Sequence, residues 1–189
     1  LVGKYITRTK PKLIIPKPFI KRLWKDSLCG GIQFSETGKM KYEDYFETVK
    51  TVRIQKKPFE IYTTRFGAVD IKLFRTRHVT TKPKSFRNSQ LSYGVLLDEK
   101  ILFTGDTQFN FNQLEWMLNR YPSIEYIIHD CDVSGYSKGV HASYEQLCAL
   151  PREIRIKTFL CHYNEAVNKI DALVDGFAGL VHEGVYYDF

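Results

Sequence analysis

Apolar and polar positions along the chain follow two periods, about 2 and about 3.6 residues, in turn, which predicts an α/β protein. Leu13-Ile14-Ile15 reads as a short buried strand closed by Pro16. From Pro18 the apolar residues Phe19, Ile20, Leu23, Trp24 and Leu28 share one helical face, and Gly30-Gly31 is the expected stop. Residues 35–44 are polar and read as a loop. Three strand-like runs follow at 46–54, 59–64 and 69–74, separated by Lys57-Pro58 and Phe66-Gly67, a meander ending on Arg75-Thr76-Arg77-His78. Residues 79–90 read as a basic loop, 91–97 and 101–104 as strands, 111–119 as a helix and 124–128 as a buried strand. Residues 143–150 form a further helix stopped by Pro151, 158–161 a strand, and 169–173 open a last helix.

The chain is organised around Ile101–Thr107, where a strand runs into Gly105 and presents Asp106 at its end. For a lone Gly-Asp-Thr, a β-turn with an Asx cap is a better explanation than a ligand. The repetition changes the picture. His78 follows Leu73-Phe74, Asp106 follows Leu102-Phe103, His129 follows Ile127-Ile128, and His162 follows Phe159-Leu160. Strands fix such groups rigidly. His78, Asp106 and His162 together are the expected metal ligands, and imidazole with carboxylate and no thiolate suits Zn²⁺, with Mn²⁺ or Fe as alternatives.

Composition narrows the class. With 189 residues, 43% hydrophobic and 14% aromatic, the chain has enough apolar material for the core of one domain, and no apolar run is long enough for a membrane span. Four dispersed cysteines without a Cys-x-x-Cys pair argue for reduced thiols and a cytoplasmic location. Charge is segregated: residues 1–90 carry 21 Lys/Arg against 7 Asp/Glu, and the remainder 7 against 14. The basic half suits a phosphate-bearing substrate, although solvated surface accounts for it equally. Within it, Lys82, Lys84 and Arg87 are the expected phosphate-binding residues.

The segments Phe103-Thr-Gly-Asp106-Thr, Ile128-His-Asp130-Cys, Val140-His141-Ala-Ser143 and Leu160-Cys-His162-Tyr resemble, in order and spacing, the second half of the metallo-β-lactamase fold. The nearest branch by this resemblance is that of the tRNase Z-like phosphodiesterases. It implies the C-terminal portion of an αββα sandwich, two divalent ions (Zn²⁺, with Mn²⁺ as alternative) and hydrolysis of a phosphodiester in a nucleic acid 3′ end or a cyclic nucleotide. His78 resembles the ligand after the meander, Asp106 the bridging carboxylate and His162 the last ligand. His141 resembles the family's loop histidine, a proton donor to the leaving oxygen or a clamp on the scissile phosphate, with Asp130 as its acidic partner. Ser143 reads as a helix N-cap.

The resemblance also has departures. No His precedes His78, so the family's His-x-His-x-Asp-His signature is absent, His-Asp-Cys replaces His-Glu-Ala, and no Gly follows His78. The expectation is one domain over residues 1–189 that lacks its N-terminal part and is inactive by itself. Two rivals are a non-catalytic nucleotide- or nucleic-acid-binding protein and a thioester or lactone hydrolase. No membrane partner is expected, and a homodimer is compatible with the sequence.

Overall fold

An eight-stranded mixed sheet carries the architecture of the computed structural model, which describes residues 9–80, 85–135 and 139–188. In chain order the strands are β1 (Lys12–Leu13), β2 (Phe34–Ser35), β3 (Gly38–Lys39), β4 (Glu47–Thr48), β5 (Val52–Gln55), β6 (Ile61–Phe66), β7 (Val69–Thr80), β8 (Ser89–Leu97), β9 (Ile101–Phe103), β10 (Tyr126–Asp130), β11 (Thr158–Cys161) and β12 (Gly179–Leu180). The main sheet runs β12-β11-β10-β9-β8-β7-β6-β5, and two small ribbons, β1-β4 and β2-β3, stand apart from it.

Two pairing modes meet inside this sheet. From β5 to β9 every neighbour is antiparallel, as short turns between strands allow. From β9 to β12 every neighbour is parallel, joined through intervening helical or turn segments. The register Phe103↔Ile128 and Asp130↔Cys161 brings the carboxyl ends of β9, β10 and β11 to one edge.

The larger core lies on the face packed by helix Phe111–Arg120 and helix Tyr144–Cys148. Leu96, Leu102, Ile127 and Leu160 from the sheet meet Leu114, Met117 and Leu147 there. The opposite face has a smaller core of Tyr62, Ile71 and Leu73, against which Ile14 and Tyr93 pack. Gly94 has a packing reason of its own. A Cβ there would overlap the buried Phe74 ring and approach the Phe103 carbonyl oxygen to 2.8 Å. Gly94→Ala is therefore expected to cost about 1–3 kcal/mol of stability. A denaturant midpoint equal to that of the parent would show that the sheet accommodates the methyl group.

The predicted helix over 111–119 and strand over 158–161 are present as read, and Ser143 caps its helix by accepting from the Gln146 N–H. Several expectations need correcting. Gly30-Gly31 does not stop the first helix: the helical run continues from Lys17 through a π segment, Leu23–Leu28, to Ile32, because neither glycine adopts the left-handed conformation that ends a helix. Residues 35–44 are not a plain loop. They complete the β2-β3 ribbon and enter the short helix Tyr42–Tyr45, whose two tyrosines are buried, Tyr45 donating to the Ile32 carbonyl.

The run at 46–54 splits into β4, parallel to β1, and β5. The helix expected at 169–173 is absent: a 3₁₀ turn, Glu165–Lys169, ends at the extended Ile170, and the Asp171 carboxylate then accepts from the Val174 N–H to form a turn. The αββα sandwich is replaced by a coarser description. Among the described residues there is one large mixed sheet with helices, and its only companions are the two-stranded ribbons. No helix among those residues is long and apolar enough to cross a membrane.

Candidate functional site

The carboxyl ends of the three adjacent parallel strands gather five polar side chains, as open α/β sheets commonly do for ligands. Asp106 lies in the turn after β9, entered through Gly105 at φ +58°, where a Cβ would approach the Tyr93 carbonyl oxygen to 2.9 Å. Asp130 is the last residue of β10, and His162 follows β11 with φ +60°, a left-handed backbone that is costly outside glycine and concentrates at functional sites. His141 precedes the Ser143 cap. His78 comes from β7. It sits inside that strand, which continues to Thr80, and not after a strand ending at Phe74 as the sequence suggested.

Asp130 is the centre of the arrangement. It is 1% exposed, and its Oδ2 accepts from the Thr107 N–H at 2.8 Å and faces His141 Nδ1 at 2.7 Å. Its Oδ1 faces His162 Nδ1 at 3.0 Å. Three donors thus satisfy a buried carboxylate, whose removal from water would otherwise be costly. His78 follows the same rule with another acceptor, its Nδ1 lying 3.3 Å from the Val140 carbonyl. In all three imidazoles an oxygen holds the Nδ1 proton, leaving the Nε2 lone pair as the available base or ligand atom. The rings are close, with centroids 4.9 Å apart for His78 and His141 and 4.7 Å for His141 and His162.

Asp106 is the accessible carboxylate. Its oxygens lie 3.9 Å from His78 Nε2 and 3.8 Å from His162 Nδ1. Asp130, His141 and His162 also place one ligand atom apiece within 4.8 Å of one another. Because Asp130 is buried and both of its oxygens already face donors, its contacts suit an orienting role better than direct ligation. The donor set of imidazole nitrogen and carboxylate oxygen fits a divalent ion. The nearby thiols do not compete: burial, with the Asp130 charge next in importance, pushes Cys131 and Cys161 up to about 12.

The other sequence candidates separate from this cluster. His129 turns into the core, its Nδ1 donating to the Asp130 carbonyl at 2.7 Å, and burial lowers its pKa so that it stays neutral. Arg87 lines a cleft with Lys56, Phe59, Glu60 and Arg75 that shares no lining residue with the groove beside Asp106. Lys82 and Lys84 lie outside the described residues. Sequence reading missed Thr107 and Gln108, both buried, which fasten the Asp106 turn to β7. Nothing in a Thr-Gln pair marks it for that task.

A family model described as anti-Pycsar protein Apyc1 matches residues 1–187. This chain belongs to the anti-Pycsar protein Apyc1 family. Relatives carrying that description include proteins of Bacillus phage vB_BsuM-Goe3 (30% identical over 172 residues, 85% of this chain and 59% of the relative) and of Bacillus phage BSP38 (30% over 165 residues, 82% and 57%). A third, from Paenibacillus xerothermodurans, is 28% identical over 158 residues, 84% of this chain and 57% of the relative. The chain thus spans just under three fifths of the length of the Apyc1 relatives it matches.

The Apyc1 match overturns the recognition of the chain as a member of the tRNase Z-like branch of the metallo-β-lactamase superfamily, and with it the nucleic acid 3′ end as substrate. The two rival readings, a non-catalytic binding protein and a thioester or lactone hydrolase, gain no support from the Apyc1 family. The four short motifs that prompted the assignment consist of strand ends followed by Asp or His. That local chemistry recurs wherever a parallel sheet builds a site, so it reports the site more faithfully than the lineage.

Proposed function

We propose that the full-length protein degrades a cyclic nucleotide by hydrolysing its phosphodiester, with the cluster described above as the reacting site. The family description, anti-Pycsar protein, supports a role in opposing another system. The observation that carries the chemistry is the set of three clustered histidines whose Nδ1 atoms are held by oxygens, with Asp106 3.9 Å from the His78 Nε2 and 3.8 Å from the His162 Nδ1.

His78, Asp106 and His162 would hold a divalent ion, for which Zn²⁺ and Mn²⁺ are the first probes, and a second ion would need further ligands. When bound, such an ion supplies charge neutralisation at a phosphate and lowers the pKa of water. The remaining groups belong to proton transfer. Asp130 holds His141 with its proton on Nδ1, so Nε2 can carry a second proton to the oxygen that leaves phosphorus when the cyclic ester opens. Asp130 stabilises the resulting charge without giving up its own position, being tied to Thr107 and His162 as well.

The test is incubation of the full-length protein with 3′,5′-cyclic nucleotides and separation of the products by chromatography. Linear nucleoside monophosphate is expected, and its formation should stop after treatment with a chelator and return with added Zn²⁺ or Mn²⁺. Cyclic nucleotide recovered intact from metal-supplemented protein would overturn the reading.

A further inference from the structure

The strand that carries His78 leaves its ladder at that residue. β7 pairs regularly with β8 down to Arg77↔Leu91, then shifts register before Thr80↔Ser89. Such a bulge re-aims side chains, and it also removes the ladder partners of the bulged backbone. Both polar groups of the His78 backbone are satisfied instead by side chains. Its N–H donates to Ser89 Oγ at 3.2 Å, and its carbonyl accepts from Gln108 Nε2 at 2.7 Å. The same Gln108 amide donates to Thr80 Oγ1 at 3.1 Å, so one planar group spans the bulge from side to side.

The Gln108 backbone adds a third tie, its N–H donating to the Arg77 carbonyl at 2.6 Å. Gln108 is 5% exposed and stands two residues after Asp106, while Thr107 between them donates its N–H to Asp130. The turn that bears one carboxylate of the site therefore also clamps the strand that bears His78.

We propose that Gln108 is a positioning residue: its side-chain amide fixes the bulge in β7 and thereby sets where the His78 imidazole stands relative to Asp106. It acts through His78 and does not touch substrate. The inference about turnover rests on the proposed function, whereas the placement of the ring does not.

The experiment is an aromatic ¹H–¹³C correlation spectrum of the labelled protein, comparing the parent with Gln108→Leu. His78 ring resonances are expected to shift and broaden while those of His129 and His182 keep their positions. Unchanged His78 resonances, or all five histidines moving together, would overturn the assignment. Gln108→Met, which keeps the length without donors, takes the place of the Leu variant if that one fails to fold. In the full-length protein the same variant is expected to lose about 10- to 100-fold in kcat with a smaller change in KM, as for a misplaced reacting group. A parent protein that turns over no cyclic nucleotide defeats the functional reading and leaves the ring measurement to decide on Gln108. A variant with shifted His78 and the parent's kcat refutes the link to turnover.

Discussion

Replacing Asp130 by Asn is expected to lower cyclic-nucleotide turnover by the full-length protein by about 10²–10⁴-fold, the usual contribution of positioned acid–base groups. The reason lies in the number of donors converging on the carboxylate. Thr107 N–H, His141 Nδ1 and His162 Nδ1 all point at its two oxygens. An Asn offers one acceptor oxygen and turns an NH₂ toward the other side, where a donor already stands. One imidazole must then flip its tautomer or its ring, and its Nε2 is no longer presented correctly.

The buried mismatch is also expected to cost stability, about 1–3 kcal/mol for an unsatisfied group. Steady-state kinetics beside a denaturation curve separates the two effects. Full activity in a folded Asp130→Asn variant would show that the charge at this position does not matter to the reaction.

The second large effect concerns the core beneath the site. Leu160→Ala is expected to cost about 2–5 kcal/mol, as truncations at fully buried positions do. Leu160 is 0% exposed in β11, packed among the residues of the larger core, two positions before His162. Its loss opens a cavity directly under a backbone that already holds His162 in a left-handed conformation. Chemical denaturation followed by tryptophan fluorescence reads the change, both tryptophans being available as reporters. A midpoint displaced by less than that of Gly94→Ala would mean that the helices close over the gap.

How much of this was legible beforehand depends on how local the signal is. Asp106 and His162 stood out because each ends a short apolar run, whereas the run before Asp130 pointed to His129 and Asp130 itself came only through the resemblance. Parallel strands in register bring the three carboxyl ends together. His78 was found for a partly wrong reason. It reads as the end of a meander strand, but it belongs to a twelve-residue strand that bulges there, and a bulge has no signature in alternation alone. Gln108 was invisible because its value comes from a neighbour thirty residues earlier.

Elsewhere the errors came from treating residue types as fixed signals. Gly30-Gly31 looked like a helix stop, yet glycine permits the turn without requiring it. The polar look of residues 35–44 hid the buried Tyr42, which with Tyr45 just beyond buries its ring in a short helix and keeps its hydroxyl bonded. The family assignment failed on the same ground, since motifs of three or four residues describe a chemistry that several lineages share.

The sheet changes mode at β9, antiparallel on one side and parallel on the other. His78 belongs to the first half, while Asp130, His141 and His162 belong to the second, and Asp106 hangs from the strand common to both. A ligand gripped by all of them acts as a clasp across the seam. By mass action it would deepen the folded state by about 2.7 kcal/mol at a free concentration one hundred times its dissociation constant. With the clasp closed, the two halves would come apart only together.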